Sequence, residues 1–251
     1  MADEHDKGHR KAPAHIYIRV MKGGPYLVYG NPPLDQEIVI PNENGTPWIY
    51  RKGTLKFAGK DPMELCRCGA SADKPYCDGS HNCHEWDSSE TAKYVTDSEQ
   101  VDVIEGERLV LHDNGGLCAF ARFCEEKGSI WNSVHDARTD DEVESAKREV
   151  CHCPSGRLSL WDKKSGKLLE PDFAPSLSIV EDPGIKVSGP IRVKGGIKLI
   201  SAENEPYEIR NRMTLCRCGK SRNKPFCDGS HANARFNDGL TQIARRPSED
   251  E

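Results

Sequence analysis

Nothing in the 251 residues approaches the run of about 18 apolar residues that a membrane-crossing helix needs. The opening stretch M-A-D-E-H-D-K-G-H-R-K-A-P-A-H holds no apolar segment of the kind a secretory signal carries, so none is expected, and His5 and His9 there read as part of a solvated tail. Apolar residues make up only 36% of the chain and aromatics 7%, against 30% charged, which is thin for one large core. Several small units, stabilised partly by bound metal, are expected instead. Positive charge is not in excess: a net charge of −5 and a pI near 6.0 argue against nucleic acid or an anionic membrane as partner. Gly195-Gly196 lacks the wider glycine pattern of a dinucleotide site, and no nucleophile–base arrangement can be picked out. With aromatics so few, Trp86, Trp131 and Trp161 read as local core, not as a substrate platform.

Cysteine is the exception. Six of the eleven fall in two near copies of one stretch, C-R-C-G-A-S-A-D-K-P-Y-C-D-G-S-H from Cys66 to His81 and C-R-C-G-K-S-R-N-K-P-F-C-D-G-S-H from Cys216 to His231. Twelve of sixteen positions are identical at an offset of 150, a repeat that sets the architecture. Cysteines grouped in short motifs point to thiolate ligands in a reducing compartment, with cytoplasm the default. Three cysteines and a histidine in one short, turn-rich segment mean a metal site. Cys66 and Cys68, two apart in an extended segment, point the same way. Pro75 fixes the chain, and Asp78-Gly79 suits a turn into a short helix, on which Cys77 and His81 would share a face. Such a helix, beginning near Cys77 or Cys227, would also turn backbone N–H groups toward a bound anionic group. A pair plus a pair fits a two-iron rhomb at least as well as one tetrahedral ion, and structural zinc stays open on ligand type alone.

These stretches resemble the CDGSH (NEET) iron–sulfur family, whose motif is C-x-C and then, after eight residues, C-D-G-S-H; both copies match in full. The resemblance implies a [2Fe-2S] cluster with Cys66 and Cys68 on one iron and Cys77 and His81 on the other. It implies a second with Cys216 and Cys218 on one iron and Cys227 and His231 on its partner. Many members carry one motif per chain and dimerise, so a tandem chain would supply both halves itself, as a monomer with internal pseudo-twofold symmetry. The motif surroundings repeat as well: Gly24-Pro25-x-x-Val28-x-Gly30 is echoed by Gly189-Pro190-x-x-Val193-x-Gly195. The first unit carries about fifteen extra residues, mostly within Asn31–Lys60.

Between the repeats lies a different segment. Val101–Ile104 and Arg108–Leu111 read as a hairpin turning at Glu105-Gly106, and Leu158–Trp161 as a further strand. Thr139 and Glu142 form a capping box ahead of Val143, Ala146 and Val150, which predicts a helix over about 140–150. Cys118, Cys124 and the Cys153-Pro154 pair resemble the divergent single-cluster [4Fe-4S] ferredoxin-like domains. That resemblance implies a third cluster, [4Fe-4S] or [3Fe-4S], with Cys151 the nearest candidate for a fourth ligand and His112 a remote one. The competing reading packs these cysteines as small buried hydrophobes. Cys83, beside Trp86, reads as a free packed thiol.

The expected fold is α+β: a tail at 1–14, a first CDGSH-type unit at 15–95, a ferredoxin-like α/β segment at 96–178, a second CDGSH-type unit at 179–245 and an acidic tail at 246–251. The expected role is electron transfer, cluster transfer or redox sensing, with redox partner proteins or apo-acceptor proteins as partners. A redox enzyme with a substrate site in the central segment, or a zinc-stapled interaction module, are the alternatives. A Cys₃His site carries one negative charge fewer than Cys₄, so its potential should lie above plant-type ferredoxins. Lys220 and Arg222, where the first loop has Ala70 and Ala72, lead to the expectation that the second cluster has the higher potential of the two.

Overall fold

The computed structural model describes residues 11–57, 59–95 and 101–240. Most of the tail expected at 1–14, with His5 and His9, and the acidic tail at 246–251 lie outside the described residues.

Short alternating runs form the strands. In β1 (Tyr17–Val20) and β2 (Tyr26–Tyr29) every second side chain is buried, and the two pair antiparallel across a turn at Gly23, whose φ of 66° suits glycine. β3 (Leu34–Pro41) and β4 (Pro47–Lys56) form a hairpin around Asn42–Gly45. β5 (Met63–Leu65) leads into the first C-x-C and pairs with β2. The central segment supplies β6 (Asp102–Glu105), β7 (Leu109–Asp113), helices α1 (Ile130–Asp136) and α2 (Asp140–His152), and β8 (Leu158–Asp162). The second unit supplies β9 (Ser176–Asp182), β10 (Val187–Lys194), β11 (Lys198–Ile200), β12 (Arg212–Leu215) and the one-turn helix α3 (Ser230–Asn233).

Neither repeat unit closes a sheet from its own strands. One sheet runs β11-β1-β2-β5, so a strand of the second unit lies parallel to β1, with Ile18 opposite Leu199. The other runs β12-β10-β9-β3-β4, so a strand of the first unit lies parallel to β9, with Leu34 opposite Leu177. Each unit thus lends its third strand to the other's sheet, which is the pseudo-twofold relation. The departure from symmetry is β4, which carries the extra residues of the first unit and occupies the free edge of its sheet. Because the strands are exchanged, both units share one core: Ile18, Tyr26, Val28 and Leu65 cluster with Leu177, Ile191, Val193 and Leu215. A buried ion pair crosses the same seam. Burial alone would raise the pKa of Glu37 on β3, but Arg192 and Lys194 on β10 outweigh it and hold the carboxyl below its usual range.

The central segment has its own core of Leu109, Leu111, Ile130, Val134, Ala146, Val150, Leu158 and Leu160, with both helices packed on a sheet ordered β6-β7-β8. The capping box opens α2 as the spacing predicts, with the Thr139 side chain accepting from Glu142 N–H and the Glu142 carboxylate accepting from Thr139 N–H. The seven-residue α1 carries too little periodicity to stand out in the sequence. Arg212 on β12, only 1% exposed, joins this segment to the second unit. Its guanidinium donates to the carbonyls of Val150 and Cys153 at the end of α2, at 2.7 and 2.6 Å, and to that of Leu158 at the start of β8, at 3.0 Å, and pairs with Glu170.

Candidate iron–sulfur centres

In both repeats the strand before the C-x-C positions all four ligands. Cys66 N–H donates to the Pro75 carbonyl and Cys77 N–H to the Glu64 carbonyl, at 2.9 and 2.8 Å, so the loop returns to lie against its own strand. Cys216 and Cys227 do the same with Pro225 and Thr214, both at 2.9 Å. Within the loop, Asp78 accepts from Ala72 N–H and Ser80 N–H, and Asp228 from Arg222 N–H and Ser230 N–H. The aspartate of C-D-G-S-H is therefore a clasp between the two halves of the loop. Ser71 and Ser221 tighten it by donating to the carbonyls of Tyr76 and Phe226.

Cys66 and Cys68 bring their sulfurs to 3.8 Å, as do Cys216 and Cys218. Cys77 Sγ lies 3.3 Å from His81 Nδ1, and Cys227 Sγ 3.3 Å from His231 Nδ1. Two thiolates on one tetrahedral metal at about 2.3 Å stand about 3.8 Å apart, so each pair has the spacing of a tetrahedral edge. The short helix begins only after the ligand cysteine, at Ser80 or Ser230, past a left-handed Gly79 or Gly229. Cys77 and His81 therefore meet across a turn and not along one helix face. Helix amides are not turned on the ligands as expected: those of Ser80 and Ser230 go to the aspartates, and it is loop amides that reach sulfur, Ala70 on Cys68, Gly79 on Cys77, Lys220 on Cys218 and Gly229 on Cys227. Among the described residues, no three His, Cys, Asp or Glu side chains converge on one point. The ligands come in pairs.

Burial pushes the thiols up, Cys68 to about 11 and Cys227 further, while Cys216 falls to about 6 because the Cys218 S–H donates to it. Burial and Arg217 lower His231 to about 4, which keeps its ring neutral and able to ligate. Thiols held protonated by burial give up their protons when a cation arrives, so this donor set suits a metal group.

Cys118, Cys124 and Cys153 line a single small pocket together with Phe120, Phe123 and Arg157. Burial, with Cys153 close by, raises Cys124 to about 12. Arg157 is held charged by hydrogen bonds to Asp113 and Cys118 and offers positive charge to an anionic group. Phe120 and Arg122 both adopt left-handed φ, 56° and 62°, as the loop curls round this pocket. Cys151 is not brought there. Two residues before Cys153 it lies about 200° round the helix, and its thiol donates to the Leu169 carbonyl. His112 is also elsewhere, its ring tilted 39° against that of Trp161 with centroids 4.1 Å apart. Cys83 is exposed, not packed, while Trp86 lies under Arg67 at 4.8 Å.

The three centres are contiguous. Gly69 and Gly219 back onto the carbonyls of Cys218 and Cys68, so that a Cβ on either would stand 2.6 or 2.2 Å from the facing oxygen. On its other side the second loop meets the central one: a Cβ on Gly229 would stand 2.7 Å from Phe120 Cβ, Asn223 donates to the Gly116 carbonyl, and Cys118 adds to the upward shift of Cys227. Sequence reasoning found the cysteines and histidines but not Arg212, Arg157 or this contact, because no spacing rule links residues so far apart.

A family profile described as iron-binding zinc finger, CDGSH type, matches residues 23–82 and 188–232, and one described as divergent 4Fe-4S mono-cluster matches 104–163. No curated protein and no solved structure gave a match. No helix among the described residues is long and apolar enough to cross a membrane. Two complete ligand loops, each matched by the first profile and flanking a segment matched by the second, make this chain a tandem member of the CDGSH iron–sulfur family with a divergent 4Fe-4S segment between its motifs.

Proposed function

We propose that the chain is a one-electron carrier with three iron–sulfur centres in a row. Cys66, Cys68, Cys77 and His81 hold one [2Fe-2S] cluster, and Cys216, Cys218, Cys227 and His231 a second. Cys118, Cys124 and Cys153 hold a third, either [3Fe-4S] or a [4Fe-4S] whose fourth iron takes a non-cysteine ligand. The observation that carries this reading is the pairing of ligands. One zinc ion would gather all four side chains of a loop to mutual distances near 3.5–3.8 Å, whereas here they approach two by two. Clusters of this kind supply one-electron transfer when bound and can themselves be passed to an apo-acceptor protein. The protein's own residues position the sulfurs, exclude water from the second loop and set charge around each centre. The contacts through Gly69–Cys218 and Gly229–Phe120 support an order in which the second loop is the middle of the row.

Iron, acid-labile sulfide and zinc counts on anaerobically prepared protein, with Mössbauer spectra, test it. Two [2Fe-2S] clusters plus a third cluster are expected; colourless protein with stoichiometric zinc overturns the reading. Replacing Cys118, Cys124 and Cys153 by Ser should remove the third signal and spare the other two, and Cys151→Ser should leave the iron count unchanged.

A further inference from the structure

Among the described residues, a cleft lies away from the ligand loops. It opens between α2 and the five-stranded sheet, where Tyr50 on β4 and Arg192 on β10 face it, measures about 420 Å³, and is also lined by Arg148, Cys151, His152 and Phe173. Its volume falls in the range of small-molecule sites, and its exposed lining is mostly apolar.

Two polar groups in its lining are donors left without acceptors. Arg192 is 3% exposed, and its Nη1 donates to Glu37, yet its Nε–H has no partner. The Tyr50 hydroxyl is likewise buried without a partner. Burial raises the Tyr50 pKa, so that hydroxyl stays protonated and able to donate. The nearby carboxylates do not answer them: Glu170 is held by Arg212 and Asn211, and Glu37 is shared between Arg192 and Lys194. A buried donor without an acceptor costs about 1–3 kcal/mol, so two in one cleft call for an oxygen from elsewhere. The lining is built of planar side chains, Tyr50, His152 and Phe173, with the Arg192 guanidinium held 4.5 Å from the Tyr50 ring centroid and 5.4 Å from that of Phe173.

The cleft also borders the central cysteine pocket. The His152 ring, whose Nδ1 bonds the Arg148 carbonyl, stacks on Phe123 at 5.4 Å with planes 16° apart. Phe123 lines the pocket of Cys118, Cys124 and Cys153 on its other side. One layer of side chains separates the two cavities.

We propose that this cleft binds a flat, largely apolar small molecule through a ring-borne carbonyl or carboxylate oxygen, received by Tyr50 Oη–H and Arg192 Nε–H. The proposal does not depend on which metal group the cysteines hold. Its test is equilibrium dialysis of the full-length, cluster-loaded protein against 1-naphthoate, 1-acetonaphthone and naphthalene. The two oxygen-bearing probes should bind and naphthalene at least ten-fold more weakly; preference for the naphthoate identifies a carboxylate ligand, and preference for the ketone a carbonyl one. Tyr50→Phe removes only the hydroxyl. Arg192→Lys keeps a cation for Glu37 but deletes the Nε donor. Each should weaken probe binding at least five-fold with an unchanged visible spectrum. In a Cys83→Ser background, a bound probe should slow alkylation of Cys151 several-fold. Equal binding of all three probes, no binding of any, or full affinity in both variants would overturn the proposal.

Discussion

At the scale of single residues, the most exposed weakness of the central segment is Glu149. It is 1% exposed on α2, and neither carboxylate oxygen has a hydrogen-bond partner. Burial, with Glu126 adding to it, raises its pKa to about 7 from 4.5. The folded protein therefore holds this proton more tightly than the unfolded chain does. No penalty exists below about pH 4.5; it grows as pH rises and is complete above about pH 7. Glu149→Gln should stabilise the protein at pH 8 by on the order of 1–3 kcal/mol and change little at pH 4.5. Paired thermal melts across that range check it, and parallel curves for parent and variant at all pH would show that the carboxyl is already satisfied. The aspartates of C-D-G-S-H make the opposite case, since each carboxylate is filled by backbone amides. Their side chains are structural, a role that the motif shows without explaining.

At the scale of elements, what the sequence made legible was local. The Val101–Ile104 and Arg108–Leu111 runs marked the β6–β7 hairpin, Leu158–Trp161 marked β8, and Thr139 with Glu142 marked the start of α2. The ligand pairs were legible for the same reason, each lying within four residues. Strand exchange was not, because β11 against β1 joins residues some 180 apart, and parallel pairing leaves no turn signature. Nor was the role of Arg212, which looks like an ordinary strand residue until the carbonyls of Val150, Cys153 and Leu158 are found around it. Arg212→Met should remove the cation that pairs with Glu170, leaving Asn211 as its remaining donor, and strip the Cys153 and Leu158 carbonyls of the guanidinium, costing about 3–5 kcal/mol. The loss should fall first on the central segment, because Cys153 is one of the residues it anchors. Hydrogen exchange should show α2 and β8 opening while β1 and β2 stay protected; uniform loosening of all elements would mean that Arg212 is not the joint. At the back-to-back contact, Gly219→Ala would drive a methyl into the Cys68 carbonyl at a left-handed φ of 74°. It should therefore destabilise both CDGSH loops, read as faster loss of the metal-centre absorption of both loops and not of one.

At the scale of the molecule, the pseudo-twofold relation breaks where the centres meet their surroundings. His81 is half-buried and lines an open cleft shared with His84 and with Lys220 and Arg222 of the opposite loop. His231 is 4% exposed, and the central loop covers its side of the molecule through Phe120 and Gly116. The arginine inside each C-R-C differs in the same sense. Arg67 donates to the carbonyls of Gly24, Ser88 and Met21, whereas Arg217 is neutralised by Glu181 and Asp238. Reduction adds negative charge, which burial disfavours and neighbouring positive charge favours. Loop composition credits Lys220 and Arg222 to the second cluster, but both also line the cleft beside His81, and Arg222 is paired with Asp228 of its own loop at 3.8 Å, so the unneutralised Arg67 decides the balance of charge. Charge and burial then act in one direction, and the first centre should have the higher potential of the pair. It should also be the one that meets solvent. Titrations followed by electron paramagnetic resonance, with His81→Cys and His231→Cys to assign the signals, should place the first centre above the second. An iron chelator added to the oxidised protein should strip the first centre several-fold faster. A second centre that is higher in potential, or lost as fast, would mean that the cover over His231 does not set the chemistry of the centre beneath it.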